Sequence, residues 1–381
     1  MKEKHINEQL LSLLRAALWQ KPADTVSFKT DTTDWKDLYA LSWQQNVATL
    51  FYTGLRTLPP SLQPADEWQQ TVLSRLSCIQ EAYHVLNRNL AETVKHLKTH
   101  YVSPLLLKGP AYARHYPQPA CRPSDDTSLY INEKNDFLTH AIIWPATKET
   151  TPPEESAPLS RPFHLHNIRI LLNRSIIRLD NPVVDRRFRE WSLTQFGDKK
   201  YTMTIHGETI SLPTPRFEIV FVFLHLYHLF LHGRMQLLHL CDWVMLLHAH
   251  RDAVYRTELK HLLQRFKLMH SWQLFGCIAV DHLGLPVREF PFYDSYYSVP
   301  AEKVLEILLY AEGFQPDIIH YKGSRIRYWR NKLQSYLWHP KRFVLLLFLV
   351  PHDILVRYGQ FFVSSVRQIF SGKRTPPPVL S

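Results

Sequence analysis

Glycine is scarce in this 381-residue chain, with 11 residues against 26 prolines. That count is low for an enzyme built on repeated strand, glycine turn and helix, and it suits a largely helical chain. Cysteine is scarce too. Cys78, Cys121, Cys241 and Cys277 are widely separated, with no Cys-x-x-Cys pair and no disulfide-like spacing, so they read as reduced thiols in a cytoplasmic protein. Long hydrophobic runs are absent. The most apolar stretch, residues 343–350, is far short of the about 20 residues a bilayer requires. Pro351, His352 and Asp353 end it. A buried helix is expected there, or else a membrane-surface helix using the surrounding Lys341, Arg342, Arg357, Arg367, Lys373 and Arg374 for weak surface contact. The opening Met1-Lys2-Glu3-Lys4-His5 is polar and leads into an amphipathic pattern, so no signal peptide is expected.

Apolar mass is plentiful. Hydrophobic residues make up 45% and aromatic residues 13% of the chain, which fits a globular protein with a sizeable core rather than a disordered one. Two or three packed subdomains are expected at this length. The formal net charge of +11 is spread rather than blocked. It permits contact with polyanions, nucleotides or an anionic membrane, and equally suits a basic soluble protein with none of these partners. No specific nucleic-acid motif accompanies it.

Helical periodicity opens the chain. Leu10, Leu11, Leu13, Leu14 and Ala17 recur at helical spacing, residues 35–58 repeat the pattern, and a longer helix is expected over 68–100. Residues 1–100 thus form an N-terminal helical subdomain. Over 101–215 the pattern is mixed, with strands expected at 104–107, 128–132, 167–172 and 174–179. A helix near 133–142, an exposed loop over 145–162 and a hairpin over 201–210 complete that core. Helices resume afterwards. Residues 216–232 are apolar nearly all round and should be buried, 237–250 follow, and further helices are expected at 255–283, 301–312, 326–338 and 341–372. This gives a C-terminal helical subdomain over 216–372 and a disordered tail over 373–381.

The stretch with chemical content begins at Leu105-Leu106-Leu107-Lys108-Gly109-Pro110. It reads as a buried strand that stops in a tight turn, with Pro110 suited to the first position of a helix because its missing N–H would be unpaired there anyway. Tyr116-Pro117-Gln118-Pro119 breaks that helix. The chain restarts as a strand at Ser128, entered through Arg122-Pro123-Ser124-Asp125-Asp126-Thr127. A glycine turn lets backbone N–H groups approach phosphate, and carboxylates on the next strand hold magnesium. On these residues the chain resembles an uncharacterised bacterial nucleotidyltransferase-like family carrying Leu-Lys-Gly, Tyr-Pro and Arg-x-x-Gly-Asp-Ile/Val-Asp-Leu. Leu179-Asp180-Asn181-Pro182, the helix over 221–232 and Leu240-Cys241-Asp242-Trp243 extend the likeness across roughly residues 35–320. The resemblance implies an α+β fold: a small mixed β-sheet of nucleotidyltransferase type flanked by N- and C-terminal helical subdomains. It also implies magnesium-dependent transfer of a nucleotidyl group from a nucleoside triphosphate to an unknown acceptor.

Metal-dependent transfer needs carboxylates that converge on magnesium. Only residues i and i+2 of a strand share a face, so Asp-x-Asp is the required spacing. Here Asp126 falls on the family's first aspartate and would be the metal ligand, but Ser128 occupies the second. Asp125 stands where glycine is expected and points the other way. The family's Glu-x-His on the neighbouring strand aligns with Leu171-Leu172-Asn173, and residues 161–179 contain no Asp or Glu at all. Leu238 replaces an arginine suited to phosphate. Four substitutions, at Ser128, Leu171, Asn173 and Leu238, make the site look degenerate.

Lys108 and Gly109 survive and can still hold a phosphate, or form only a turn with a solvated lysine. Arg122 is a comparable candidate, with an equally plausible structural role. His225, His228 and His232, at i, i+3 and i+7, share one helix face. They are read as polar lining of the ligand cleft or as hydrogen-bonded core histidines, with zinc as a lesser alternative. Asp242 is expected as a structural hydrogen-bond acceptor near that cleft. The leading expectation is a nucleotidyltransferase-family protein with weakened or lost catalysis, retained as a nucleotide-, phosphate- or partner-binding module. The first alternative is an active transferase using Asp126, Asp125 and an acid brought in by folding, Asp180 or Asp185, with magnesium. The second is a peripheral membrane accessory protein that works through its basic C-terminal helix.

Overall fold

Leucines spaced at 3.6 residues give the first helix a one-sided apolar stripe. Helix α1 (Lys2–Trp19) buries Leu10, Leu13, Leu14 and Ala17 and packs on α3 (Ala48–Leu55). The two helices cross so closely that a Cβ added to Gly54 would overlap the Leu13 backbone, so only glycine fits there. Helix α2 (Trp35–Gln44) starts on the Asp34 side chain, which accepts from the Asp37 N–H. Helix α4 (Asp66–Thr99) has Asp66 and Glu67 in its first turn and His96 and Lys98 in its last, the polarity that complements a helix dipole. The computed structural model describes residues 2–28, 33–123, 127–131, 163–165, 168–172, 176–177, 179–196, 201–253, 256–310, 346–347 and 349–350.

Helix α4 lies against a sheet whose strands are β1 (Leu105–Leu106), β2 (Ser128–Ile131), β3 (Phe163–Leu165), β4 (Ile168–Leu172), β5 (Thr202–Ile205) and β6 (Glu208–Ser211). Their order is β3-β4-β2-β1-β6-β5. The inner neighbours are mixed: β1 runs antiparallel to β2 and parallel to β6, while β2 runs parallel to β4. The outer pairs, β3–β4 and β5–β6, are antiparallel. A short helix, α5 (Pro110–Ala113), leaves β1 through Gly109. Helices plus a small mixed sheet make this the expected α+β fold.

One expected strand, 174–179, is not seen among the described residues. Ile176, Ile177 and Leu179 are not in a strand; β4 pairs instead with β3, which lies before it in the chain. The chain then enters a helix that the sequence pattern does not assign. Asn181 accepts from the Val183 and Val184 N–H groups, Pro182 takes the first helical position, and α6 (Pro182–Gln195) buries Val184, Phe188, Trp191 and Ser192. Phe188 and Trp191 stack on Phe217 of the next helix and meet Phe266 edge-on. The aromatic payload explains why the helix wins.

The C-terminal half is helical as expected: α7 (Pro215–Leu231), α8 (Leu237–Ala249), α9 (Arg256–Arg265), α10 (Met269–Cys277) and α11 (Ser298–Tyr310). Apolar nearly all round, α7 is buried along most of its length. One continuous core joins Leu10 of α1 to Leu309 of α11 and takes in the sheet. Leu346, Leu349 and Val350 belong to that core, and His270 Nε2 lies 2.7 Å from the Leu349 carbonyl. The described part of the most apolar run is therefore buried. No helix among the described residues is long and apolar enough to cross a membrane. The helices expected at 133–142 and 326–338, the loop at 145–162, most of 341–372 and the tail lie outside the described residues.

The α6 cap is open to a direct check. Asn181→Ala should destabilise the protein by about 1 kcal/mol, read from denaturant midpoints, because it strips an acceptor from two first-turn N–H groups.

Candidate functional site

At the end of β1 the backbone turns through Gly109, with φ 77° and ψ −119°. A Cβ there would overlap the Thr127 side chain, so the turn needs glycine both for its conformation and for space. The Leu107 N–H donates to the Ser128 carbonyl at 2.9 Å, holding the turn against the start of β2. Lys108 thereby points inward. It is 8% exposed, and its Nζ lies 2.9 Å from His225 Nε2 on α7. An ammonium only donates, so Nε2 is the acceptor and the His225 proton sits on Nδ1.

Behind the lysine stands a buried ion pair. Arg122 Nε and Nη2 donate to the two Asp242 oxygens at 2.7 and 2.8 Å, and Nη1 donates to the Pro123 carbonyl at 2.8 Å. The Tyr116 hydroxyl donates to Asp242 Oδ1 at 2.8 Å, and the Tyr112 ring lies 5.5 Å from the guanidinium. Burial works against the Arg122 charge, but the Asp242 carboxylate outweighs it and raises the guanidinium pKa further. Burial, then Asp242, likewise pushes the Tyr116 hydroxyl upward. The arginine expected at the phosphate thus serves a structural role. Asp242 is the expected hydrogen-bond acceptor, and its partners come from the connection between β1 and β2.

His239, on α8 one turn before Asp242, completes the surroundings. Burial lowers its pKa, Asp242 opposes that, and Lys108 adds to it, so the ring stays neutral. Its Nδ1 accepts from the Gln236 N–H at 3.0 Å, and its ring lies 6.0 Å from that of His225. Sequence reasoning passed over His239, although its i, i+3 spacing from Asp242 places both on one face. Arg122 is balanced by Asp242, and the Lys108 ammonium is held by His225.

The positions expected to be degenerate are neutral where the structure describes them. Ser128 is fully buried on β2 and pairs in register with Arg169 of β4; Leu171 lies beside Tyr130, two residues along. Leu238 is buried, and its N–H donates to the Gln45 carbonyl at 3.3 Å. Asp125, Asp126 and Asn173 lie outside the described residues. Asp185 accepts from the Leu179 N–H at 2.9 Å and from Arg189 at 2.7 Å, which closes the first turn of α6 and leaves it no part in this site. Magnesium prefers an all-oxygen shell. The described residues around Ser128 do not offer one.

The three histidines of α7 separate. His225 faces Lys108, whereas His228 and His232 turn to Asp180, the acid brought in by the loop before α6. A further polar cluster went unread in the sequence. Arg114 Nη2 donates to both Glu218 oxygens, at 2.9 and 2.8 Å, His250 Nε2 lies 3.1 Å from Glu218 Oε2, and the His115 ring packs on His250. A lone glutamate near the start of an apolar helix was its signal.

The family of uncharacterised nucleotidyltransferases matches residues 31–284, two-thirds of the chain. The chain belongs to this nucleotidyltransferase family. The match takes in Lys108, Ser128, Asp180 and α7 and α8, and it ends before the roughly 320 the motifs suggested. No curated protein and no solved structure matches the chain.

Two outcomes check the geometry of this nucleotidyltransferase relative. Arg122→Ala should cost about 3–5 kcal/mol in unfolding free energy, because it leaves the Asp242 charge buried and unpaired. Burial, Arg114 and His250 lower the His115 pKa from 6.5 to about 3. Below 6.5 the unfolded chain takes up a proton that the folded protein refuses, so stability should fall as pH drops from 6.5 toward 3. Denaturant midpoints at pH 7 and pH 5 should show that fall, and His115→Gln should flatten it.

Proposed function

We propose that this member of the nucleotidyltransferase family has lost or greatly weakened catalysis and is retained to bind a nucleotide or phosphate, or a protein partner. Ser128 carries the reading. On the motif resemblance it takes the place of the family's second aspartate, and it lies in the middle of the sheet with 0% exposure. A carboxylate there would need a cation to offset its desolvation, whereas a serine does not. Leucines at 171 and 238, in place of the family's neighbouring acid and arginine, agree with that.

Binding chemistry persists at Lys108. Its ammonium, in a mostly buried setting, suits a phosphate oxygen better than it would in open water, since the local dielectric is lower. His225 orients the lysine by accepting from it, and the Gly109 turn fixes the direction in which the lysine leaves the backbone. Arg122 and Asp242 hold the connection between β1 and β2 in place. They are positioning residues.

Calorimetric titration with ATP, GTP, CTP and UTP, each with and without magnesium, tests this. Triphosphate binding should change less than about tenfold with magnesium, and Lys108→Ala should weaken it at least about tenfold, or 1.4 kcal/mol. Magnesium strengthening beyond tenfold would restore a working metal site and overturn the reading. Absence of binding by all four nucleotides would remove the nucleotide and leave a partner-binding module.

A further inference from the structure

One turn of α7 beyond His225, two histidines meet a carboxylate from a different element. His228 and His232 are four residues apart, the spacing at which a helix presents two imidazoles to one ion. Asp180 arrives from the loop that caps α6. Ligand atoms of the three side chains lie within 4.8 Å of one another. The His228 and His232 rings are 4.1 Å apart, and His228 is buried.

The hydrogen bonding around them favours a cation. His232 Nδ1 lies 2.8 Å from the His228 carbonyl, which can only accept, so Nδ1 holds the proton and Nε2 presents its lone pair toward Asp180. A backbone carbonyl that fixes the tautomer in this way is the usual outer support of a metal-ligating histidine. Asp180 Oδ1 is 3.6 Å from that Nε2, beyond hydrogen-bond reach, and Asp180 Oδ2 is buried with no hydrogen-bond partner. An unsatisfied buried carboxylate oxygen is costly unless a positive charge joins it. The C-terminal end of α7 adds negative partial charge at the same place.

We infer that Asp180, His228 and His232 form a binding site for a divalent transition cation of the zinc type. Two imidazoles and one carboxylate, with a fourth position left for water or another ligand, are a zinc donor set. Magnesium, which prefers oxygen, is a poor match. Asp180 keeps 24% of its side chain exposed, so the site has an opening on that side. The other cluster of suitable residues, His115, Glu218 and His250, is a weaker candidate because the Arg114 guanidinium already occupies both Glu218 oxygens. The cation site does not depend on the nucleotide reading. It would tie the start of α6 to the end of α7, about 5 Å along the helix from the residue that holds Lys108.

Untagged, full-length protein, stripped with a chelator, is titrated with zinc sulfate alone, and its metal content is measured after dialysis. About one zinc should remain per chain, with Asp180→Asn and His232→Gln each weakening binding at least about tenfold. His250→Gln should leave binding unchanged. Asp180→Asn keeps the shape of the side chain, so it serves if His232→Gln fails to fold. Cobalt(II) in place of zinc should give the visible bands of a four-coordinate site, lost in Asp180→Asn. Failure of the wild-type protein to retain zinc would overturn the inference. So would wild-type affinity in both ligand variants, the mark of scattered surface histidines, or loss confined to His250→Gln.

Discussion

The buried fork between Arg122 and Asp242 is the contact on which the site depends. It joins the connection between β1 and β2 to α8, and Tyr116 from the same connection donates to the same carboxylate. Two ions taken out of water gain little unless every donor and acceptor is met. Here the carboxylate takes three donors, and the third guanidinium nitrogen reaches a carbonyl. With both ends of that connection held on α8, the Gly109 turn has a fixed direction, and Lys108 is delivered to His225 rather than to solvent.

Holding a phosphate takes a positive charge and a bare stretch of backbone. Moving a nucleotidyl group also takes carboxylates that gather magnesium. Ser128 and Leu238 are tightly buried, as apolar or small residues can be without a counter-ion. Among the described residues, the nearby acids have other occupations. Asp242 belongs to Arg122, Asp185 to the first turn of α6, and Asp180 to a pair of histidines.

Much of this was legible in the sequence. Hydrophobic patterning gave α4, α7 and α8 to within two residues at each end, since a helix needs only its own period. The Lys108-Gly109 turn and the β5–β6 hairpin were marked by local residue chemistry. Less visible was whatever depended on a distant partner. Residues 174–179 look like a strand by composition, yet Ile176, Ile177 and Leu179 lie outside any strand and the chain enters a helix at Pro182. Arg122 gave no sign of whether it faced a phosphate or an aspartate 120 residues away. The His225, His228 and His232 row reads as one face. Only the fold shows that Lys108 claims the first and Asp180 the other two.

A crystal structure of the protein grown with magnesium and a non-hydrolysable nucleoside triphosphate tests the central claim most directly. The account predicts phosphate density against Lys108 and Gly109, with no metal ion between β2 and β4. A magnesium ion held there by Asp126 and a second carboxylate, bridging the phosphates, would contradict it.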